Sequence, residues 1–240
     1  MLNLIINADD FGFSKSVNEG IIHAYRQGLI STTTLMANMP NALEAIDLAK
    51  KNPGLGVGLH IVLTVGKPLS KNCPSLIDEN GDFYNHKLLE KGSVNLNEAE
   101  VYEEILMQLK FLTDNGIRPD NIDAHHFLNW DGVIKKVIMQ VAKELDLPVR
   151  KHFACDGIVS TDELFLGFYA ENAKAETILD FIQEHPDMKS LEIMTHSGFI
   201  DEDTGARTSY LNRANEIKEL EKLKEMGFYD SINLKTFQQL

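Results

Sequence analysis

Five side chains carry most of the chemical content of this sequence: Asp9, Asp10, His60, His125 and His196. Each lies within or at the end of a short apolar run, in Asn7-Ala8-Asp9-Asp10-Phe11-Gly12, Gly58-Leu59-His60-Ile61, Asp123-Ala124-His125-His126 and Thr195-His196-Ser197. One carboxylate and two imidazoles that leave coordination positions open make a catalytic metal site, whereas a structural site closes all four. Taken singly, each residue has an ordinary reading. An aspartate at a strand end caps a helix or forms a turn, and an isolated histidine is hydrogen-bonded structure. That ordinary reading is the one given to His23, His86, His152 and His185. Their arrival together at the ends of several strands is what points to a metal. The two adjacent aspartates take separate roles, because neighbours on a strand face opposite ways. A bend at the strand end lets one reach an ion while the other faces substrate, as a metal-assisted hydrolase needs for its ligand and its base.

These residues need a frame, and the hydrophobic pattern supplies one. Leu2 to Ala8 is nearly all apolar, as a strand buried on both faces is. Further strands are expected at 32–37, 57–63, 121–124, 148–154, 191–195 and 231–234. Between them run segments of helical period: one ending near Gly28, one opened by Asn41 with Glu44 in the manner of a capping box, and others at 98–113, 131–145, 171–184 and 210–226. Residues 66–96 break the rhythm with Pro68, Pro74, Asn80-Gly81 and Gly92, a long excursion of the kind that serves as a functional loop or lid. Alternating strands and helices imply parallel strands with right-handed crossovers, either a doubly wound sheet or a barrel, in one domain over 1–240. Both place the site at the carboxyl ends of the strands. No glycine-rich loop follows the first strand, which argues against a dinucleotide site.

Composition closes off other classes. The chain has 240 residues, 43% of them hydrophobic, and a net charge of −13. Such a field repels phosphate backbones and anionic lipid, and the densest basic points are mere pairs, so neither nucleic acid nor membrane is an expected partner. Cys73 and Cys155 are too few and too far apart for a disulfide framework and are expected as free thiols of a reducing compartment. With no signal peptide and no apolar run of membrane-spanning length, a cytoplasmic location is expected.

At these same residues the sequence resembles the YdjC-like carbohydrate deacetylase family over essentially its whole length. The resemblance rests on Leu4-Ile5-Ile6-Asn7-Ala8-Asp9-Asp10-Phe11-Gly12 with Ser14, Val17 and Asn18, on Gly58-Leu59-His60 with Leu63-Thr64, on Asp123-Ala124-His125-His126, and on Thr195-His196-Ser197-Gly198. It implies a seven-stranded, TIM-like distorted α/β barrel that hydrolyses N-acetyl groups on sugars. It also implies one divalent metal held by Asp10, His60 and His125, with Asp9 as general base and His196 as acid or oxyanion partner. The family points to magnesium, whereas two imidazoles suit zinc, cobalt or nickel. A homodimer and an acetylated sugar or oligosaccharide substrate, phosphorylated or not, follow from the same resemblance. Where family members usually carry further histidines, Phe127 and Leu128 follow His126 here, and Ser197 stands in place of a proline.

Trp130, Phe83, Tyr84, Phe127 and Tyr210 are candidates to stack on sugar rings, and Arg207 and Arg213 to hold a hydroxyl or phosphate. Two other readings use the same residues. A phosphoesterase or cyclic amidohydrolase on the same barrel is disfavoured by the Asp9-Asp10 start and by the shortage of carboxylates for a second ion. A non-catalytic sugar-binding protein predicts the loss of a ligand or base that this chain retains.

Overall fold

A computed structural model describes residues 1–126 and 132–240. Its centre is strand β1 (Leu2–Phe11), in which every residue from Leu4 onward is buried. A strand this apolar has to be covered on both faces, and parallel pairing with helical crossovers does that. β1 pairs in parallel with β2 (Thr32–Leu35) and with β6 (Ser190–Thr195), and its first residues also pair with β7 (Ile232–Leu234). Outward from β2 come β3 (Gly56–Ile61) and β4 (Ile122–Ala124), and outward from β6 comes β5 (Glu163–Phe165). The resulting seven-stranded sheet is wholly parallel, six strands in the order β4-β3-β2-β1-β6-β5 with β7 beside β1 off that path, and curls as a half-barrel.

The helices are α1 (Lys15–Arg26), α2 (Ala42–Lys50), α3 (His86–Glu90), α4 (Glu98–Asp114), α5 (Val133–Leu145), α6 (Ala175–Glu184), α7 (Glu202–Arg207) and α8 (Arg213–Glu225). Val101, Ile105, Leu109 and Leu112 are the buried stripe of α4, and Val137, Ile138 and Val141 that of α5. These are positions that the 3.6-residue period selects. None of the described helices is long and apolar enough to cross a membrane.

Two expectations need correction. The strand expected at 148–154 does not form: Val149 makes one isolated parallel bridge to Ile122, and Lys151–Phe153 turns into a 3-10 helix. The fifth strand lies instead at Glu163–Phe165, where pairing with the buried β6 overrides weak local propensity. β4 and β5 are not hydrogen-bonded neighbours, and the curled half-barrel sheet is consistent with the distorted barrel expected. Asn41 makes no side-chain cap; its amide turns to Glu44 instead.

The excursion at 66–96 is tethered rather than loose. Glu104 on α4 is buried and accepts the backbone N–H groups of Leu69 and Ser70, while Glu100 accepts that of Ser75. Phe83 is buried in the core, so it is not a sugar platform. Cys73 and Cys155 are free thiols.

Candidate active site

The end of β1 is where regular structure yields to chemistry. Its register with β2 shifts between Ala8 and Phe11, and Asp10 sits at φ 71°, in the left-handed region. Aspartate tolerates that region better than most residues, and such backbone strain concentrates at functional sites. The irregularity breaks the up-down alternation, so Asp9 and Asp10 turn to different partners within one pocket.

Asp10 faces two imidazoles. Its Oδ1 lies 3.3 Å from His60 Nε2 and 3.1 Å from His125 Nδ1. Asp10, His60 and His125 offer ligand atoms that all fall within 4.8 Å of one another. β3 and β4 present the two histidines because their register sets His60 opposite Asp123, two residues before His125. Gly58 allows this pairing, since a Cβ there would stand 2.1 Å from the Asn121 side-chain oxygen. His60 Nδ1 donates to Asp123 Oδ1 at 2.7 Å, and Thr34 donates to the other oxygen of Asp123 at 2.9 Å. A carboxylate behind a histidine in this way fixes the ring and leaves its far nitrogen for a metal. Burial pushes the His60 pKa down, but Asp123 and Asp10 more than offset it and raise it to about 10. Arg213 closes the outer side of Asp10, donating to Oδ2 at 2.6 Å. Burial raises the Asp10 carboxyl, yet Arg213 and His125 hold it well below the usual carboxylate range.

Asp9 faces a sealed interior. Arg150, fully buried, grips it with a two-pronged fork at 2.9 and 2.7 Å, and Asn7 donates to it at 2.8 Å. The same guanidinium reaches Asp123 at 2.8 Å and Glu192 at 2.7 Å. Burial pushes the Asp9 pKa up, but the Arg150 charge and hydrogen bonds bring it to about 2. Glu192 goes the other way: burial outweighs Arg150 and raises it to about 7. Asp9, His60 and Asp123 form a second convergent set, but Arg150 already occupies two of those carboxylates.

His196 follows β6. α1 comes so close to the segment after it that a Cβ on Gly20 would stand 2.3 Å from the Phe199 nitrogen. The His196 backbone N–H donates to Glu216, which also accepts the Tyr210 hydroxyl. Burial pushes the His196 imidazole down to about 4, the nearby aspartates only partly opposing it, so the ring is neutral near pH 7. Its Nδ1 is buried and has no hydrogen-bond partner among the described residues.

The remaining candidates divide. Tyr210 lies beside His196, with ring centroids 5.2 Å apart. Tyr84 is half-buried on the excursion. Trp130 and Phe127 lie outside the described residues. Arg213 is committed to Asp10, and Arg207 to the Phe13 carbonyl and Asp203. His126, also at positive φ (63°), shares a hydrogen bond with Thr64, and its ring lies tilted against those of His125 and of His86 from the excursion.

Arg150, Glu192, Glu216 and Tyr169 were not singled out from the sequence as site residues. Glu192 carried a signal, as a charge inside the apolar run Leu191-Glu192-Ile193-Met194 of a buried strand. Arg150 carried none, reading only as half of a basic pair with Lys151.

A family model described as YdjC-like protein matches residues 3–238. The carbohydrate deacetylase of Clostridium beijerinckii is 35% identical over 244 residues, covering 99% of this chain and 97% of its own. That of Brevibacillus brevis is 34% identical over 253 residues, covering 100% of both. Among solved structures, an Enterococcus faecalis protein described as a candidate cellobiose-phosphate cleavage protein superposes with a TM-score of 0.90 at 31% identity, over 99% of this chain and 98% of that one. A family 4 carbohydrate esterase from Streptomyces lividans shares the fold at a TM-score of 0.52 and 15% identity, over 96% of this chain and 90% of that one.

Proposed function

The chain belongs to the YdjC-like family, and we propose that it removes N-acetyl groups from acetylated sugars or oligosaccharides, chitooligosaccharide-like ones among them, with one divalent metal ion as cofactor. It is a hydrolase of amide bonds, as its full-length relatives named carbohydrate deacetylase are. The observation that carries the metal reading is the convergence of Asp10, His60 and His125, with His60 Nδ1 anchored on Asp123 and its far nitrogen turned to Asp10. One carboxylate oxygen and two imidazole nitrogens fit a divalent ion with positions left for water and substrate. Asp10, His60 and His125 would hold it. When bound, such an ion polarises an amide carbonyl and makes water more acidic. The donor set suits zinc, cobalt or nickel by its imidazoles, and the family resemblance adds magnesium.

The other residues divide the proton work. Asp9, kept ionised and fixed in orientation by Arg150, takes the proton of the attacking water as its oxygen bonds to the acetyl carbon. It returns that proton to the leaving amine as the carbon–nitrogen bond breaks. His196, neutral at pH 7, is suited to donate a hydrogen bond to the tetrahedral oxyanion. The products are acetate and the free amino sugar.

Acetate release from N,N′-diacetylchitobiose, with and without EDTA, tests this reading. The expected result is release that EDTA abolishes and a divalent ion restores. No release with any added divalent metal, across mono-, di- and phosphorylated N-acetyl sugars, overturns it in favour of a phosphoesterase or a sugar-binding protein. The homodimer and the cytoplasmic location are checked by light scattering and cell fractionation.

A further inference from the structure

One aromatic at the rim of the site is held with more care than the deacetylation chemistry requires. Tyr169 is 43% exposed. Its ring stacks on Tyr210, with centroids 4.4 Å apart and planes inclined by 16°, and meets His196 edge-on at 5.4 Å. Ala170, the next residue, lies at φ 52°, a left-handed conformation that alanine avoids unless its surroundings impose it.

Here they do so from both sides. The Ala170 N–H donates to the Tyr210 hydroxyl at 3.0 Å, and the Asn212 amide donates to the Ala170 carbonyl at 2.6 Å. Tyr210 in turn donates to Glu216, which accepts the His196 N–H through its other oxygen. One linked set of contacts at the start of α8 therefore fixes the Tyr169 ring relative to His196. Arg213, in the first turn of that helix, ties the same set to Asp10. An exposed ring backed by a second ring and immobilised in advance has little entropy left to lose on binding. Its open face suits the apolar C–H face of a pyranose, whose hydroxyls stay at the edges.

We infer that Tyr169 is the stacking platform of a sugar subsite beside the acetyl-cleaving centre, backed by Tyr210 and positioned by Asn212. The inference rests on the deacetylase reading for its substrate class.

The test compares wild type, Tyr169→Ala, Tyr169→Phe, Tyr169→Trp and Asn212→Ala on N,N′-diacetylchitobiose. Acetate release is followed with metal-loaded enzyme, and calorimetric titration of the same disaccharide with EDTA-treated enzyme reads binding without turnover. Tyr169→Ala is expected to raise KM and the dissociation constant about tenfold, with kcat within about threefold of wild type. Phe and Trp keep KM within about twofold, and Asn212→Ala raises it about threefold through loss of the positioning contact. KM and dissociation constant unchanged in Tyr169→Ala, or a fall in kcat alone, overturns the platform. Should wild type bind the disaccharide but release no acetate, the deacetylase reading fails while the titrations still decide Tyr169. A wild type that neither binds nor cleaves overturns both.

Discussion

Asp9 and Asp10 are consecutive in the chain, yet the two regions they face are built on opposite terms. On the Asp9 side, Arg150 meets Asp9, Asp123 and Glu192 at 2.7 to 2.9 Å, and no member of the group is more than 1% exposed. On the Asp10 side the basic partners are His60, His125 and Arg213, and the His125 side chain remains 14% exposed. The first region gathers its carboxylates on one shared guanidinium and holds Asp9 ionised in a fixed orientation. The second gathers nitrogen and oxygen donors that only partly satisfy one another and opens toward solvent. An ion has a use in the second region, whereas in the first it would have to displace a buried guanidinium. Asp123 joins the two, since one oxygen orients His60 and the other accepts Arg150.

The sharpest test of this division removes the open side. Asp10→Ala or His60→Ala is expected to lower acetate release by about 10³-fold or more, with bound metal lost by elemental analysis, because a first ligand is gone. A variant that keeps its metal contradicts the assignment. On the sealed side, Asp9→Asn is expected to slow turnover by about 10²–10⁴-fold while metal content stays at the wild-type level. Normal turnover in Asp9→Asn removes the base role.

Arg150→Met probes the sealed region as structure. Deleting one partner strands three buried carboxylates, so a loss of about 3–5 kcal/mol in urea unfolding is expected. A loss below about 1 kcal/mol would mean that the carboxylates find other partners or take up protons at little cost.

The smallest effect concerns Glu216, behind His196. Burial raises its pKa to about 8, from 4.5 in the unfolded chain, so the native state holds a proton that the unfolded state releases between those values. Stability from this group is fully present below about pH 4.5 and is lost as pH rises through about 8. Glu216→Gln cannot titrate, so its melting temperature should gain on that of wild type by a few degrees between pH 5 and 8. A gap that does not change with pH assigns Glu216 a normal pKa and a merely geometric role.

That Asp10, His60 and His125 come together was legible beforehand because the signal is local. Asp10, His60 and His125 each end an apolar strand, and a parallel sheet brings the carboxyl ends of its strands together whatever the details of its closure. The aromatic and cationic candidates fared unevenly. Phe83 went to the core and Arg213 to Asp10, since neither residue type states in advance which face it will take. Tyr169 stood in an irregular stretch with no periodicity to read.

The amino-acid sequence by itself determined the parallel α/β plan, the strand ends that carry Asp9, Asp10, His60, His125 and His196, and the family to which the chain belongs. The first two follow from hydrophobic period and the family from its resembling motifs, all properties of short stretches of chain. Tertiary structure alone decided that the sheet stays a half-barrel, that Arg150 grips Asp9, and that the half-buried His196 ring is neutral. It also decided that Asp9 and Asp10 part company at a single left-handed residue. Each of these depends on groups far apart in sequence: 141 residues separate Asp9 from Arg150, and 203 separate Asp10 from Arg213. Their pairing and their proton affinities come from burial and proximity, which exist only once the chain has folded.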